Sequence, residues 1–142
     1  MKKPPLTAID YPVAEKAPES ITGQRGKPFD ALTLEAAANG DLHMDDLRIT
    51  PAALLRQAEI ARSVGRAALA ENFERAAEMT GLPQDEIMRI YELLRPGRAG
   101  SAAELERMAE RLASEYRAER LAAFVRQAAD LYARRGLFRQ RY

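Results

Sequence analysis

Any chemistry in this chain would start near His43, its single histidine, which stands among Asp41, Asp45 and Asp46. One imidazole with three carboxylates is a conceivable oxygen-rich cation site, because hard divalent ions take oxygen ligands. Ligands strung on a loop bind only if their geometry is fixed, and a polar loop before a helix is the plainer reading. Gly23-Gln24-Arg25-Gly26-Lys27 has the glycines and lysine of a phosphate loop. It is too short for that motif, lacks the following Ser or Thr, and meets Pro28 where a helix should begin. Asp85 and Glu86 could share acid–base work. They fall at a predicted helix start, however, where the helix dipole favours negative charge. Arg134, Arg135, Arg139 and Arg141, interleaved with Phe138 and Tyr142, could touch single-stranded nucleic acid. In a chain with 22 basic and 21 acidic residues, a solvated tail or an anchor on a protein partner is the expected role. No cysteine is present, which excludes disulfides, thiol catalysis and thiolate metal sites and fits a reducing cytoplasm. The residues thus predict no catalytic, cofactor-binding or metal-ligating group on this chain.

The elements that would position such groups are all helical. The organising stretch is Leu69 to Pro96, two helices joined at Gly81-Leu82-Pro83 and closed by Arg95-Pro96. The first has apolar positions at Leu69, Phe73, Ala76, Ala77 and Thr80, and the second at Ile87, Ile90, Tyr91 and Leu94, both at helical spacing. Pro83 suits the first turn of the second helix, where its missing N–H costs nothing. Upstream, Thr33 caps a short helix ending at Gly40, and Thr50-Pro51 opens a helix that stops at Gly65. On that helix Leu54, Leu55, Ala58, Ile60, Ala61 and Val64 leave only a narrow polar arc, so burial from more than one side is expected. Downstream, Ser101 and Glu104 form a capping box for a helix with Leu105, Met108, Ala109, Leu112 and Tyr116 as its stripe. A last helix over about 119–135 should turn Leu121, Phe124, Val125, Ala128, Leu131 and Tyr132 inward. Glu71 with Arg75, Asp85 with Arg89 and Asp130 with Arg134 are spaced for pairing within a helix.

The expected architecture is all-α: a small open bundle of about five to six short helices, with no alternating strand pattern and no internal repeat. Residues 1–32, carrying Pro4, Pro5, Pro12, Pro18 and Pro28, read as an irregular arm. Ile9, Tyr11, Val13 and Ile21 in that arm could dock on a surface. Residues 33–136 form the helical domain and 137–142 a basic tail. The N-terminus lacks the apolar stretch of a secretory signal, and no run approaches a membrane span. Although 46% of the residues are apolar, about two-fifths of those are alanine. Alanine favours helix but buries little surface, so helices are strongly encoded and their own core is thin. Excess apolar helix surface in search of a partner follows.

At the level of ordered segments, the chain resembles the small subunit of coenzyme-B12-dependent diol and glycerol dehydratases along nearly its whole length. The segments are Asp10-Tyr11-Pro12 with Lys16 and Pro18-Glu19, Gly26-Lys27, Leu32-Thr33-Leu34-Glu35 and Asp46-Leu47-Arg48-Ile49-Thr50-Pro51. Gln57-Ala58-Glu59-Ile60-Ala61, Gly65-Arg66 and the run from Leu69 to Glu78 follow, then Ile90-Tyr91 with Leu94-Arg95-Pro96. Glu104-Leu105 and Ala122-Ala123-Phe124-Val125-Arg126, with Ala128-Ala129 and Tyr132, complete the set. The chain departs from the family in having Gly97 after Arg95-Pro96, where an aromatic residue is usual.

The resemblance implies a helical subunit of a hydro-lyase whose chemistry happens elsewhere. In that family the large subunit's barrel holds the diol, and adenosylcobalamin lies between the large and medium subunits. Radical chemistry there moves a hydroxyl group and eliminates water to give an aldehyde. The partners implied are the large and medium subunits, typically in a dimer of heterotrimers, with neither nucleic acid nor membrane. The location implied is cytoplasmic, and propanediol enzymes often reside in bacterial microcompartments. No catalytic residue of the family maps onto this chain. Tyr91, Leu94, Arg95 and Phe124 are the candidates for subunit contact or support, without a division between core and interface. The choice between propanediol and glycerol lies in another chain. A free-standing helical adaptor is the alternative from a different class.

Overall fold

A computed structural model describes residues 4–138. Among them the fold is all-α, with one isolated antiparallel bridge between Thr22 and Pro28. The chain divides into two compact units, Met1–Thr80 and Gly81–Tyr142.

In the first unit the segment expected as an extended arm holds short turns of helix: Ala8–Asp10, α1 (Val13–Lys16), Pro18–Ser20 and Phe29–Ala31. Prolines start several of them, because a fixed φ near −65° suits a first turn while ending any helix before it. Two small helices follow, α2 (Leu34–Ala38) and α3 (Met44–Leu47). Thr33 caps α2 by accepting the Ala36 N–H at 3.1 Å. The main body is a helical hairpin of α4 (Pro51–Ser63) and α5 (Ala67–Met79). Thr50 accepts the Ala53 N–H at 3.2 Å, and Pro51 takes the first helical position.

α4 is buried on two sides, as its broad apolar face requires. Ile60 packs with Val13 and Ala17, beside Leu6 and Ile21, which fastens the proline-rich segment. Ala58 and Ala61 meet Ala70 of α5, with Leu69 and Phe73 alongside. Polar groups of α4 add to the attachment: Glu59 accepts the Leu6 N–H at 2.9 Å and Ser63 Oγ accepts the Ala8 N–H at 3.0 Å. Arg62 reaches across the hairpin and donates to both oxygens of the buried Glu74, at 2.8 and 2.9 Å. That hydrogen bond, and the Glu74 charge after it, raise the Arg62 pKa above its ordinary value.

The second unit consists of α6 (Gln84–Leu94), α7 (Ala102–Tyr116) and α8 (Glu119–Arg135). Pro83 lies just before α6 in extended conformation as its N-cap, one place earlier than a first-turn position. α7 and α8 pack along their length, with Leu105, Ala109, Leu112, Ala122 and Val125 all at 0% exposure. Ser101 caps α7 by accepting the Glu104 N–H at 3.3 Å. The Glu104 carboxylate completes the start of the helix by accepting from Gly100 at 2.9 Å, not from Ser101 as a strict capping box requires. Tyr132 of α8 donates its hydroxyl hydrogen to the Leu94 carbonyl, tying the ends of α6 and α8.

Gly23 is a position where the fold leaves no room. A Cβ there would stand 2.9 Å from the Asp46 carbonyl oxygen, which is backbone and cannot swing aside. Gly23→Ala is expected to destabilise the first unit by about 1–3 kcal/mol, the usual cost of overpacking, as read from urea unfolding.

Candidate subunit-interface surface

The residues that looked most like chemistry in the sequence are engaged in holding the chain together. His43 and Asp46 cap α3: Asp46 Oδ2 accepts the His43 N–H at 2.9 Å, and His43 Nδ1 accepts the Asp45 N–H at 3.2 Å. Asp46 is 2% exposed and also takes Arg25 at 3.1 Å. The Asp41 carbonyl accepts from Lys27 Nζ at 2.6 Å. Among the described residues no group of three or more His, Cys, Asp or Glu is placed to hold a metal. The glycine–lysine stretch is a turn closed on itself, with Gly23 N–H donating to Lys27 and Gly26 N–H to Gly23, both at 2.9 Å. Its amides therefore do not converge on an anion. The two segments meet: Gly23 lies against the Asp46 backbone and Arg25 pairs with the Asp46 carboxylate.

Asp85 is exposed in the first turn of α6, but Glu86 is 5% exposed and pairs with Arg111 of α7 at 3.4 Å. Helix-start electrostatics account for Asp85 alone. Glu86 instead joins two helices, a role its sequence neighbours do not signal because Arg111 is far along the chain. Its second oxygen and Asp46 Oδ1 are buried without a hydrogen-bond partner. Asp130 and Arg134, spaced as a pair within α8, form no side-chain ion pair. Arg75 donates to Asn72, and Arg134 donates to the Asp130 backbone carbonyl at 3.4 Å. Arg139, Arg141 and Tyr142 of the basic tail lie outside the described residues.

The four candidates for contact or support separate. Leu94 is half-buried and its carbonyl receives Tyr132. Arg95 is exposed and paired with Glu92 at 3.1 Å. Tyr91 is 58% exposed and Phe124 39% exposed. Phe124 and Leu131 were expected inward on the last helix, and the structure turns both outward. The buried stripe of α8 is Leu121, Ala122, Val125 and Ala129, because the alanines let α7 approach closely. Phe124 is one residue, about 100°, off that stripe, and Leu131 follows it at seven residues on the same face. The spacing alone admitted either set. Met88 is exposed one turn before Tyr91 on α6 and was missed. In the first unit Leu55 of α4 and Val64 at its C-cap remain exposed, as do Leu34, Met44, Leu47 and Ile49. Apolar side chains thus reach the surface on several elements of each unit.

Gly97 follows Pro96 in the turn after α6. Its φ of +80° lies in the left-handed region, which an aromatic residue enters only under strain.

Fold and surface together define a small all-helical protein whose buried acids hold helices and which keeps several large apolar side chains at its surface. The chain belongs to the dehydratase small-subunit family, whose model matches residues 6–139. It is therefore one subunit of a hydro-lyase and has other subunits as partners. It is 48% identical over 126 residues to the propanediol dehydratase small subunit of Citrobacter freundii, covering 89% of this chain and 73% of that protein. It is 47% identical over 126 residues to the subunit of the same name from Salmonella typhimurium, covering 89% and 72%. Among the described residues no helix is long and apolar enough to cross a membrane.

Neither of two grooves among the described residues has the size to enclose a corrinoid. One groove in the first unit, of about 360 Å³, is lined by Tyr11, Ile60, Val64, Leu69 and Phe73 among others. One in the second unit, of about 240 Å³, is lined by residues of α6 and α7. Pockets for drug-sized ligands run to about 300–1,000 Å³, and a cobalamin with its nucleotide loop is larger than such ligands.

The burial pattern sets a contrast in stability. Leu112→Ala, at 0% exposure, is expected to cost about 2–5 kcal/mol in chemical unfolding. Phe124→Ala should cost less, about 1–3 kcal/mol, since about two-fifths of the residue already meets water.

Proposed function

We propose that this chain is the non-catalytic small subunit of an adenosylcobalamin-dependent diol dehydratase, which converts 1,2-propanediol to propionaldehyde and water. The observation that carries this reading is the identity of nearly half, over most of the chain, to small subunits named for propanediol dehydratase. The shared name favours propanediol over the glycerol counterpart. The buried acids agree with a structural role: Asp46 caps α3 and pairs with Arg25, Glu74 holds α4 to α5, and Glu86 holds α6 to α7. The cofactor, held by the large and medium subunits, supplies the radical chemistry outside this chain. Two copies of each subunit form the assembly, and this subunit packs on and supports the large one.

On this reading the outward side chains of the helices form the contact. Tyr91 and Phe124 are the anchors, while Leu94 and Arg95 brace the end of α6 behind them. Aromatic residues dominate interface energetics because they bury large area at small entropic cost.

The first experiment measures aldehyde formation by large and medium subunits co-expressed with and without this chain, with adenosylcobalamin and with propanediol and glycerol tested separately. Activity that requires this chain and co-elutes with it is expected, with propanediol the better substrate. Equal activity without it, and elution of this chain alone as a compact species, would sink the reading. In the same system Tyr91→Ala and Phe124→Ala should each weaken retention of this subunit by roughly 2 kcal/mol or more, the threshold for an interface hot spot. Unchanged retention of both variants would remove them as anchors.

A further inference from the structure

The groove of the second unit differs in character from the apolar one of the first. α6 supplies Arg89 and Leu93, one turn apart, and α7 supplies Glu104, Arg107, Met108 and Arg111. Met108 is 4% exposed and Leu93 half-buried, so the groove has an apolar floor. Three guanidinium groups stand around it. Arg111 is occupied: it lies 3.4 Å from Glu86 and 3.1 Å from Glu115. Glu104 is also occupied, accepting the Gly100 N–H.

Arg89 and Arg107 are not. Among the described residues neither forms an ion pair or a hydrogen bond, and Asp85, spaced to pair with Arg89, does not do so. Arg126 on α8, by contrast, is held by Glu106 at 2.7 Å and Glu110 at 3.4 Å. Two exposed cations from two packed helices therefore border an apolar floor, with only the engaged Glu104 to offset them. Guanidinium is the cation best suited to such a place. It is weakly hydrated, its fork matches a carboxylate, and it is enriched at protein interfaces.

We propose that the Arg89–Arg107 groove docks an acidic segment of another dehydratase subunit, one with an Asp or Glu beside an apolar side chain. The inference rests on the subunit reading above. A free oxyanion would meet the arginines but leave the Leu93–Met108 floor uncovered. Nucleic acid is disfavoured by a chain whose net charge is +1. An acidic protein segment satisfies both the cations and the floor.

The test compares the wild-type chain, R89E/R107E and R89Q/R107Q, each titrated onto the co-expressed large and medium subunits over a range of salt concentrations. Both side chains are exposed, so melting curves of the isolated variants should match wild type. If the charge reversal melts early, the glutamine variant carries the comparison. Wild type is expected to bind more weakly as salt rises. R89E/R107E should bind about tenfold weaker or worse at low salt, with a flattened salt dependence, and R89Q/R107Q should fall between. Variants that bind as wild type does, with the same salt dependence, overturn the proposal while leaving the subunit reading intact. Failure of the wild-type chain to bind overturns the subunit reading itself. Two further outcomes reassign the groove and also overturn the proposal, each with subunit affinity unchanged. One is inorganic phosphate binding to the isolated chain that R89Q/R107Q abolishes. The other is self-association of the isolated chain that R89E/R107E abolishes.

Discussion

The rest of this structure depends on how closely its helices approach across alanine. Ala109 and Ala122 are fully buried between α7 and α8, and Ala58, Ala61 and Ala70 fill the same role between α4 and α5. A methyl group at a helix crossing brings two axes near and lets Leu105, Leu112 and Val125 close over the gap. The consequence is felt on the outside. Once the facing stripe is narrow, larger apolar residues flanking it have nowhere to go within a two-helix contact. Phe124 and Leu131 on α8 and Leu55 on α4 lie beside such contacts and reach the surface. The thin core and the apolar exterior are one feature seen from two sides.

A core built this way gains little from burial per residue, and the structure compensates with polar clamps. Each compact unit has a carboxylate buried between helices and an arginine reaching it: Glu74 with Arg62, and Glu86 with Arg111. Because one end of each pair meets solvent, the desolvation cost is smaller than for a fully buried pair, while the carboxylate stays fixed. Such clamps stabilise less than good apolar packing but set the register of the helices they join. Asp46 does the same for the loops, closing α3 with its own backbone contact while receiving Arg25 from the proline-rich segment.

These two features also explain what the sequence made legible. Local signals act as the sequence implies: Thr33, Thr50 and Ser101 cap helices, and Gly40 and Gly65 follow helix ends in the left-handed conformation. Helix type and the double burial of α4 follow from spacing and apolar content alone. Which side of a nearly all-apolar arc faces inward does not, because Phe124 and Val125 are equally apolar and adjacent. The side chosen depends on a partner helix, and the alanine stripe at Ala122 and Ala129 marks it only once close packing is weighed above side-chain size. Pairings across long stretches were invisible for a related reason. Gly23 and Asp46, or Glu86 and Arg111, have no spacing rule to announce them. Glu86 therefore looked like a helix-start charge, and Arg89 looked like the partner of Asp85.

The acids and bases that looked chemical in the sequence are the ones with the most structural duties in the fold. A group that caps a helix and anchors a distant segment, as Asp46 does, is held in one geometry and one set of bonds. Catalysis asks the opposite, a group left free to exchange a proton or ligand with something arriving from solvent. By that criterion the available groups of this chain are surface rather than site: outward aromatic rings and two arginines over an apolar floor. Groups of this kind can recognise another protein. On the proposed subunit reading, the apolar side chains that stay at the surface, and the cations left out of the clamps, are what the chain offers its partners.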